Sequence, residues 1–242
     1  MVGAVLLAAA ITLAPQPDGA AVFANRTAFT EECTGTANTQ PDRLARQART
    51  TFAALGWEVG GAVGPTFTRR SLLASAGVAA FYVHSHGDLY WDPKSDSRAG
   101  GFRADAGLCL GAPIVVPSEI AAMRRGVPAA SLVYISTCHN GERASRLPAA
   151  FGIPQRKVFG PSGPESFYVS YAGIAWQGAA IRFERAFWRG LIEGATAGAA
   201  FDRALLVTYD PEHLTPEWWG GYHHLPHAPS SGLPDFGGQR YV

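Results

Sequence analysis

Two stretches decide how this chain reads: Val78-Ala79-Ala80-Phe81-Tyr82-Val83-His84-Ser85-His86-Gly87-Asp88 and Ser131-Leu132-Val133-Tyr134-Ile135-Ser136-Thr137-Cys138-His139-Asn140-Gly141. Each begins as an unbroken apolar run of strand length, without the alternation of a half-solvated strand, so each predicts a strand buried on both faces. Each run then delivers a short polar string that carries reactive side chains and a glycine. In an open parallel sheet, ligands bind beyond the carboxyl ends of the strands, so both strings fall where a site is expected.

Working outward, Ala20–Ala24 predicts a short apolar strand. Pro41-Asp42 opens a segment with Leu44, Ala48, Phe52 and Leu55 at helical spacing, closed by Gly56. Trp57–Val63 predicts a short strand, and Thr68 or Ser71 caps a brief helix over Leu72–Ala76. Leu89–Gly111, rich in Asp, Gly and Trp, predicts a loop or hairpin excursion, and Ala112–Val116 a strand. Pro117-Ser118-Glu119 starts a helix through Arg125, closed by Gly126. Arg156–Gly160 predicts a strand followed by a loop over Pro161–Glu165. Helices are expected from Ile174 to Ile192, stopped by Gly194, and from Thr196 to Val207. Strands alternating with helices at these intervals predict an α/β domain of three layers around a mainly parallel sheet. That domain is expected over 20–210, between a signal-like apolar segment at 1–19 and an aromatic- and histidine-containing extension at 211–242. In the extension Trp218 and Trp219 are expected to cover an edge of the core, with His223, His224 and His227 exposed.

Composition narrows the function. The 242 residues carry 20 Lys and Arg against 19 Asp and Glu, a formal charge of +1 with only 16% charged residues, which excludes a basic nucleic-acid binder and an acidic solvating tail. Hydrophobic residues make up 47%, enough for a full core and against disorder, and 28 Gly with 17 Pro imply many turns. Val2–Ala14 is an apolar run below the ~20 residues a spanning helix needs, so no stable membrane span is expected. It has the length of a signal-peptide hydrophobic region, followed by small residues at Ala20 and Ala21, but lacks a positive charge in front. A secreted or cell-surface protein is one reading, and an apolar element packed on a cytoplasmic domain is the other. Three cysteines are an odd number, so at least one is left unpaired. In an exported protein the expected pairing is Cys33 with Cys109, leaving Cys138.

Cys138 has the better chemical context. A cysteine nucleophile needs a thiolate, an imidazole that takes or holds its proton, and donors aimed at the developing oxyanion. If the two buried strands are neighbours, His86 and Cys138 face one another across the top of the sheet. Gly87 lets its N–H approach a substrate carbonyl, the N–H of Cys138 is the second donor, and Gly141 is expected to allow the sharp exit from the turn. His84 reads as a packing residue behind His86, and adjacent His139 as a poorly directed rival base.

His86 and Cys138 are 52 residues apart (138 − 86), close to the ~50 that separate the caspase histidine from its cysteine. In Phe81-Tyr82-Val83-His84-Ser85-His86-Gly87 and Val133-Tyr134-Ile135-Ser136-Thr137-Cys138 the chain resembles the caspase, gingipain and legumain group of cysteine peptidases, clan CD. Arg182-Phe183-Glu184-Arg185-Ala186-Phe187-Trp188-Arg189-Gly190-Leu191 is similar to the closing helices of bacterial CHAT-type and gingipain-like domains, and the resemblance covers roughly Ala20–Tyr209. It implies a caspase-like fold and a cysteine endopeptidase acting on protein or peptide without a cofactor or metal. In it His86 is the base or imidazolium partner, Cys138 the nucleophile and Gly87 the oxyanion donor. Cys138 is followed by His139-Asn140-Gly141 and preceded by Thr137, which departs from the Gln-Ala-Cys-x-Gly string of true caspases and puts their Asp specificity in doubt. Asp88, Glu142 and Glu165, near the two motifs, are candidates for binding a basic substrate side chain. Oligomeric state is not legible.

Two other classes compete. His84-Ser85-His86-Gly87-Asp88 resembles the start of the His-x-His-x-Asp-His motif of metallo-β-lactamase-fold hydrolases, with His139 as a later zinc ligand. Leu89 stands where that motif requires its next histidine. A non-catalytic binding module on a peptidase scaffold is the third reading.

Overall fold

The computed structural model describes residues 19–24, 40–104, 113–159 and 163–222. In chain order its elements are β1 (Gly19–Ala24), α1 (Gln40–Ala54), β2 (Glu58–Gly60), α2 (Arg69–Ala74), β3 (Ala80–His84), β4 (Gly87–Asp92), β5 (Ser97–Arg103), β6 (Ile114–Val115), α3 (Pro117–Met123), β7 (Leu132–Ser136), α4 (Leu147–Ala150), β8 (Lys157–Val158), β9 (Phe167–Tyr171), α5 (Gln177–Ile192), α6 (Ala197–Val207) and β10 (Pro216–Gly221). The two apolar runs of the sequence become β3 and β7, and every residue of both strands is buried.

A seven-stranded sheet has the order β2-β1-β3-β7-β9-β10-β8. All neighbouring pairs are parallel except β9 with β10, which is antiparallel. Strand alternation sends Ala80 and Tyr82 of β3 to one face, with Leu132 and Tyr134 of β7, where α1, α5 and α6 cover them. Phe81, Val83, Val133 and Ile135 point to the other face, toward residues of α2, α3 and α4. This is the expected three-layer α/β arrangement with a mainly parallel sheet. A second, three-stranded sheet of order β4-β5-β6 is antiparallel and leaves the main one directly after β3. Among the described residues no helix is long and apolar enough to cross a membrane.

Local signals account for most helix limits. The Thr68 hydroxyl accepts from the Ser71 N–H at 3.1 Å and caps α2, and the Thr196 hydroxyl accepts from the Ala199 N–H at 3.0 Å and caps α6. Pro117 opens α3, where the Glu119 carboxylate reaches back to accept from the Val116 N–H at 3.1 Å. Gly56, at φ +87°, stops the chain after α1 in the left-handed region that glycine tolerates.

Two strands depart from the sequence reading. Phe167–Tyr171, between the expected loop and the expected helix, is the fully buried strand β9. β10 lies within 211–242, expected as an extension, yet it pairs along β9 and fills the sheet between β9 and β8. Trp218 is buried there, with its ring 5.2 Å from that of Phe167, so the tryptophan is part of the core and not its cover. The excursion after β3 is the β4–β5 hairpin. Gly19–Ala24 is a core strand, so Ala20 and Ala21 belong to the sheet. Cys33, Cys109, residues 1–18 and the histidines at 223, 224 and 227 lie outside the described residues.

Candidate active site at the carboxyl edge of the sheet

β3 and β7 are hydrogen-bonded neighbours, in a register that sets Phe81 opposite Val133 and His84 opposite Ser136. His86 and Cys138 are therefore each two residues beyond the last matched pair, at equivalent positions on one edge of the sheet. The chain after them is in contact. A Cβ added at Gly87 would fall 2.6 Å from Cβ and Oγ1 of Thr137 and 2.5 Å from Nδ2 of Asn140. Glycine is required at 87 because the backbone following His86 lies directly against the residue preceding Cys138.

The turn that carries Cys138 is held from several sides. The His139 N–H donates to Gly173 O and the Gly141 N–H to Tyr171 O, each at 2.8 Å. Asn140, fully buried, donates from Nδ2 to Gly101 O at 2.8 Å and to Thr137 Oγ1 at 2.5 Å, tying the turn to β5. The Tyr168 hydroxyl donates to Asn140 O at 2.9 Å, and Trp219 Nε1–H to Gly141 O at 3.2 Å. The sharp bend falls on His139, at φ +60°, rather than on Gly141. Gly141 is glycine for closeness: a Cβ there would sit 2.7 Å from Tyr171 C.

Cys138 is part-buried with a free thiol, and its Sγ accepts from the Ala175 N–H at 3.3 Å. Burial pushes the thiol above its ordinary pKa, the Ala175 N–H acts against this, and the negative charge of Asp88 adds to the rise. Burial, then the positive charge of Arg103, holds His86 below the usual histidine range. The resting pair is thus a thiol and a neutral imidazole. The Arg103 N–H donates to His86 O at 2.9 Å, continuing the β4–β5 ladder. His86, Asp88 and Tyr90 alternate onto one face of this hairpin, together with Arg103. Burial raises the Tyr90 pKa, the charge and hydrogen bond of Arg103 oppose it, and the charges of Asp88 and Cys138 add to it. Tyr90 and Arg103 were not among the residues expected from sequence. Their signal was the even spacing 86, 88, 90 on a strand, hidden while Leu89–Gly111 read as a loop or excursion of no stated register.

The three acidic candidates part company. Asp88 is exposed and close enough to act on Cys138. Glu142 is engaged within the turn: its Oε1 lies 2.7 Å from His139 Nδ1 and accepts from the Gly173 N–H at 3.1 Å. Glu165 is not brought to this edge, because it precedes β9, whose Phe167 pairs with Leu132 at the amino end of β7. His84 follows Tyr82 on the face that α5 covers, its Nδ1 2.7 Å from Ser136 Oγ, and burial, then the charge of His86, lowers its pKa to about 3. Among the described residues no group of three His, Cys, Asp or Glu converges as a metal site.

No family model matches the chain and no curated protein does. Among solved structures it is similar to protein GSU0716 from Geobacter sulfurreducens at 15% identity, covering 88% of this chain and 95% of that one with a TM-score of 0.50. The likeness is one of fold. The Drosophila initiator caspase Dronc matches at 7% identity over 84% of this chain and 82% of that one, TM-score 0.46.

Proposed function

We propose that the chain is a cysteine endopeptidase of caspase-like type, with Cys138 as nucleophile and His86 as base. The observation that carries the reading is the contact of Gly87 with the Thr137 side chain, which sets the residue after His86 against the residue before Cys138 at the end of two parallel neighbours. In the reaction, His86 takes the thiol proton as Sγ bonds to the scissile carbonyl carbon, since neither group is charged at rest. The oxyanion faces the amides of Gly87 and Cys138. Collapse breaks the C–N bond, the amine leaves with the proton from His86, and a thioester remains. Water, giving a proton to His86, then releases the acid and restores the thiol.

Two features bear on substrate. Ile174 and Trp176, 68% and 60% exposed, flank the Ala175 whose N–H holds the sulfur, and they suit an apolar substrate side chain beside the cut. Asp88 is the candidate left at the edge to meet a basic one. For the zinc reading, no group of three His, Cys, Asp or Glu converges among the described residues. A secreted or cell-surface location rests on the run Val2–Ala14 alone. Incubating a peptide library with wild type and Cys138→Ala tests the proposal. Cleavage by the first and none by the folded second is expected, and turnover by Cys138→Ala would end it.

A further inference from the structure

Directly behind the site lies a polar group that the proposed chemistry does not use. Glu184 of α5 is fully buried against the sheet. Its Oε2 accepts from the Tyr82 hydroxyl at 2.8 Å. Its Oε1 accepts from the Ser136 hydroxyl, and from the Tyr171 hydroxyl at 3.2 Å. Tyr134 Oη lies 2.8 Å from Tyr171 Oη. The groups facing Glu184 are Tyr82 of β3, Ser136 of β7, Tyr171 of β9 and the Trp188 indole of its own helix, with Tyr134 behind Tyr171 and His84 behind Ser136. Burial, then the charge of Glu184, keeps the Tyr82 and Tyr171 hydroxyls protonated, and burial with the charge of Tyr171 does so for Tyr134.

Counting hydrogens settles their directions. Each hydroxyl has a single hydrogen. Tyr82, Ser136 and Tyr171 give theirs to the carboxylate, so Tyr134 gives its own to Tyr171. Ser136 then has only lone pairs left for His84. At 2.7 Å the His84 Nδ1 must be the donor, and the imidazole is held with its hydrogen on Nδ1 and a lone pair on Nε2.

We infer that Glu184 is a positioning residue, which through the Ser136 hydroxyl dictates the tautomer of His84 and so the polarity presented by the imidazole two residues before His86. The inference rests on the proposed dyad only for its effect on His86. Its structural half stands on the hydrogen bonds alone. The route from the buried carboxylate to the edge runs in this inference from His84 to His86, two residues on in the chain, whose charge acts on His84. Burial raises the Glu184 pKa to about 7, against the hydroxyls that favour its anion. The arrangement described is therefore that of mildly alkaline solution.

Long-range proton–nitrogen NMR on the full chain with nitrogen-labelled histidine, at pH ~8.5, reads the tautomer, and His84→Gln assigns the signal. Wild type is expected to show Nδ1–H at His84. Nε2–H there overturns the inference without any variant. Glu184→Met frees the Ser136 hydrogen to turn toward His84, so Nε2–H is expected, whereas Glu184→Gln keeps an acceptor and is expected to retain Nδ1–H. If Glu184→Met does not fold, Ser136→Ala serves, and an unchanged pure Nδ1–H signal in that variant counts against the inference. Alkylation of Cys138 by iodoacetamide across pH supplies the link to the site. Where the tautomer changes, the rate at neutral pH is expected to change by about threefold or more, equal to a shift of about half a pH unit. A changed tautomer with an unaltered alkylation profile overturns the positioning role. An alkylation profile indifferent to His86→Ala would instead indict the dyad, and the tautomer result would stand apart from it.

Discussion

The two faces of the main sheet are built on different principles, although the same strands supply both. One face packs Phe23, Phe67, Phe81, Phe102 and Phe151 with aliphatic residues, and its Arg124 guanidinium and Tyr168 hydroxyl are satisfied by backbone carbonyls. The other is also aromatic, with Tyr82, Tyr134, Phe187 and Trp188 in ring contact, but it encloses Glu184 and the hydroxyls turned toward it. The dry face holds the site's scaffold in place. The polar face runs, by the two-residue alternation of β3 and β7, straight to His84 and Ser136 at the edge. A buried carboxylate is weak evidence for stability, since an apolar replacement is often neutral or better. Its position beneath the edge is the stronger reason for its presence.

The contrast is most easily broken on the dry side. Phe81→Ala removes a ring 5.1 Å from that of Phe151 and 5.8 Å from that of Phe23 and is expected to cost about 3–5 kcal/mol. Urea unfolding measures it, and a loss below ~1 kcal/mol would mean the face is not close-packed.

Acid distinguishes the polar side. The folded pKa of His84 is lowered from 6.5 to about 3, so its contribution is present above 6.5 and is lost as pH falls toward 3. Glu184 is raised from 4.5 to about 7, so folding binds its proton more tightly and this group's contribution falls as pH rises between those values. Between 4.5 and 6.5 the two oppose one another. Below 4.5 His84 acts alone, and a loss of about 2 kcal/mol is expected by pH 3, at about 1.4 kcal/mol per pH unit. Thermal unfolding of wild type beside His84→Gln checks this, the variant being expected to lose less.

Tyr82→Phe is a smaller test. It takes one donor from Glu184 and is expected to cost about 1–2 kcal/mol at pH 8.5. The cost should shrink at pH 5, where the carboxyl is neutral, and an equal cost at both values would deny the carboxylate. Arg203→Ala, which removes an exposed pairing with Glu193, belongs to neither face and is expected to change stability by less than about 0.5 kcal/mol.

Much of this was legible in the chain, for reasons that can be named. β3 and β7 show as apolar runs because strands covered on both faces must be apolar throughout, and their reactive strings mark one edge. α2, α3 and α6 show through caps, which are local chemistry. β9 carries the same signal, Phe167-Tyr168-Val169-Ser170-Tyr171, but it is short and lies so close to the loop before it and the helix after it that no local boundary sets it apart. β10 begins with a proline, ends in two glycines and pairs antiparallel with β9 in an otherwise parallel sheet, so nothing local places it between β9 and β8. Glu184 could not be seen at all as a buried group. It occupies a helix in which Arg182, Arg185 and Arg189 suggest a charged face, and the hydroxyls that satisfy it come from strands up to 102 residues away. Gly87, expected from sequence to let its N–H approach a substrate carbonyl, lies against the side chains of Thr137 and Asn140.

The central claim is that Cys138 and His86 work as nucleophile and base. It is tested most directly by quenching the protein in acid during turnover of an activated peptide ester and mapping the acyl adduct by mass spectrometry. The account predicts one adduct, on Cys138, forming ~10²–10⁴-fold more slowly in His86→Ala. An adduct on any other residue, or formation at an undiminished rate without His86, would contradict it.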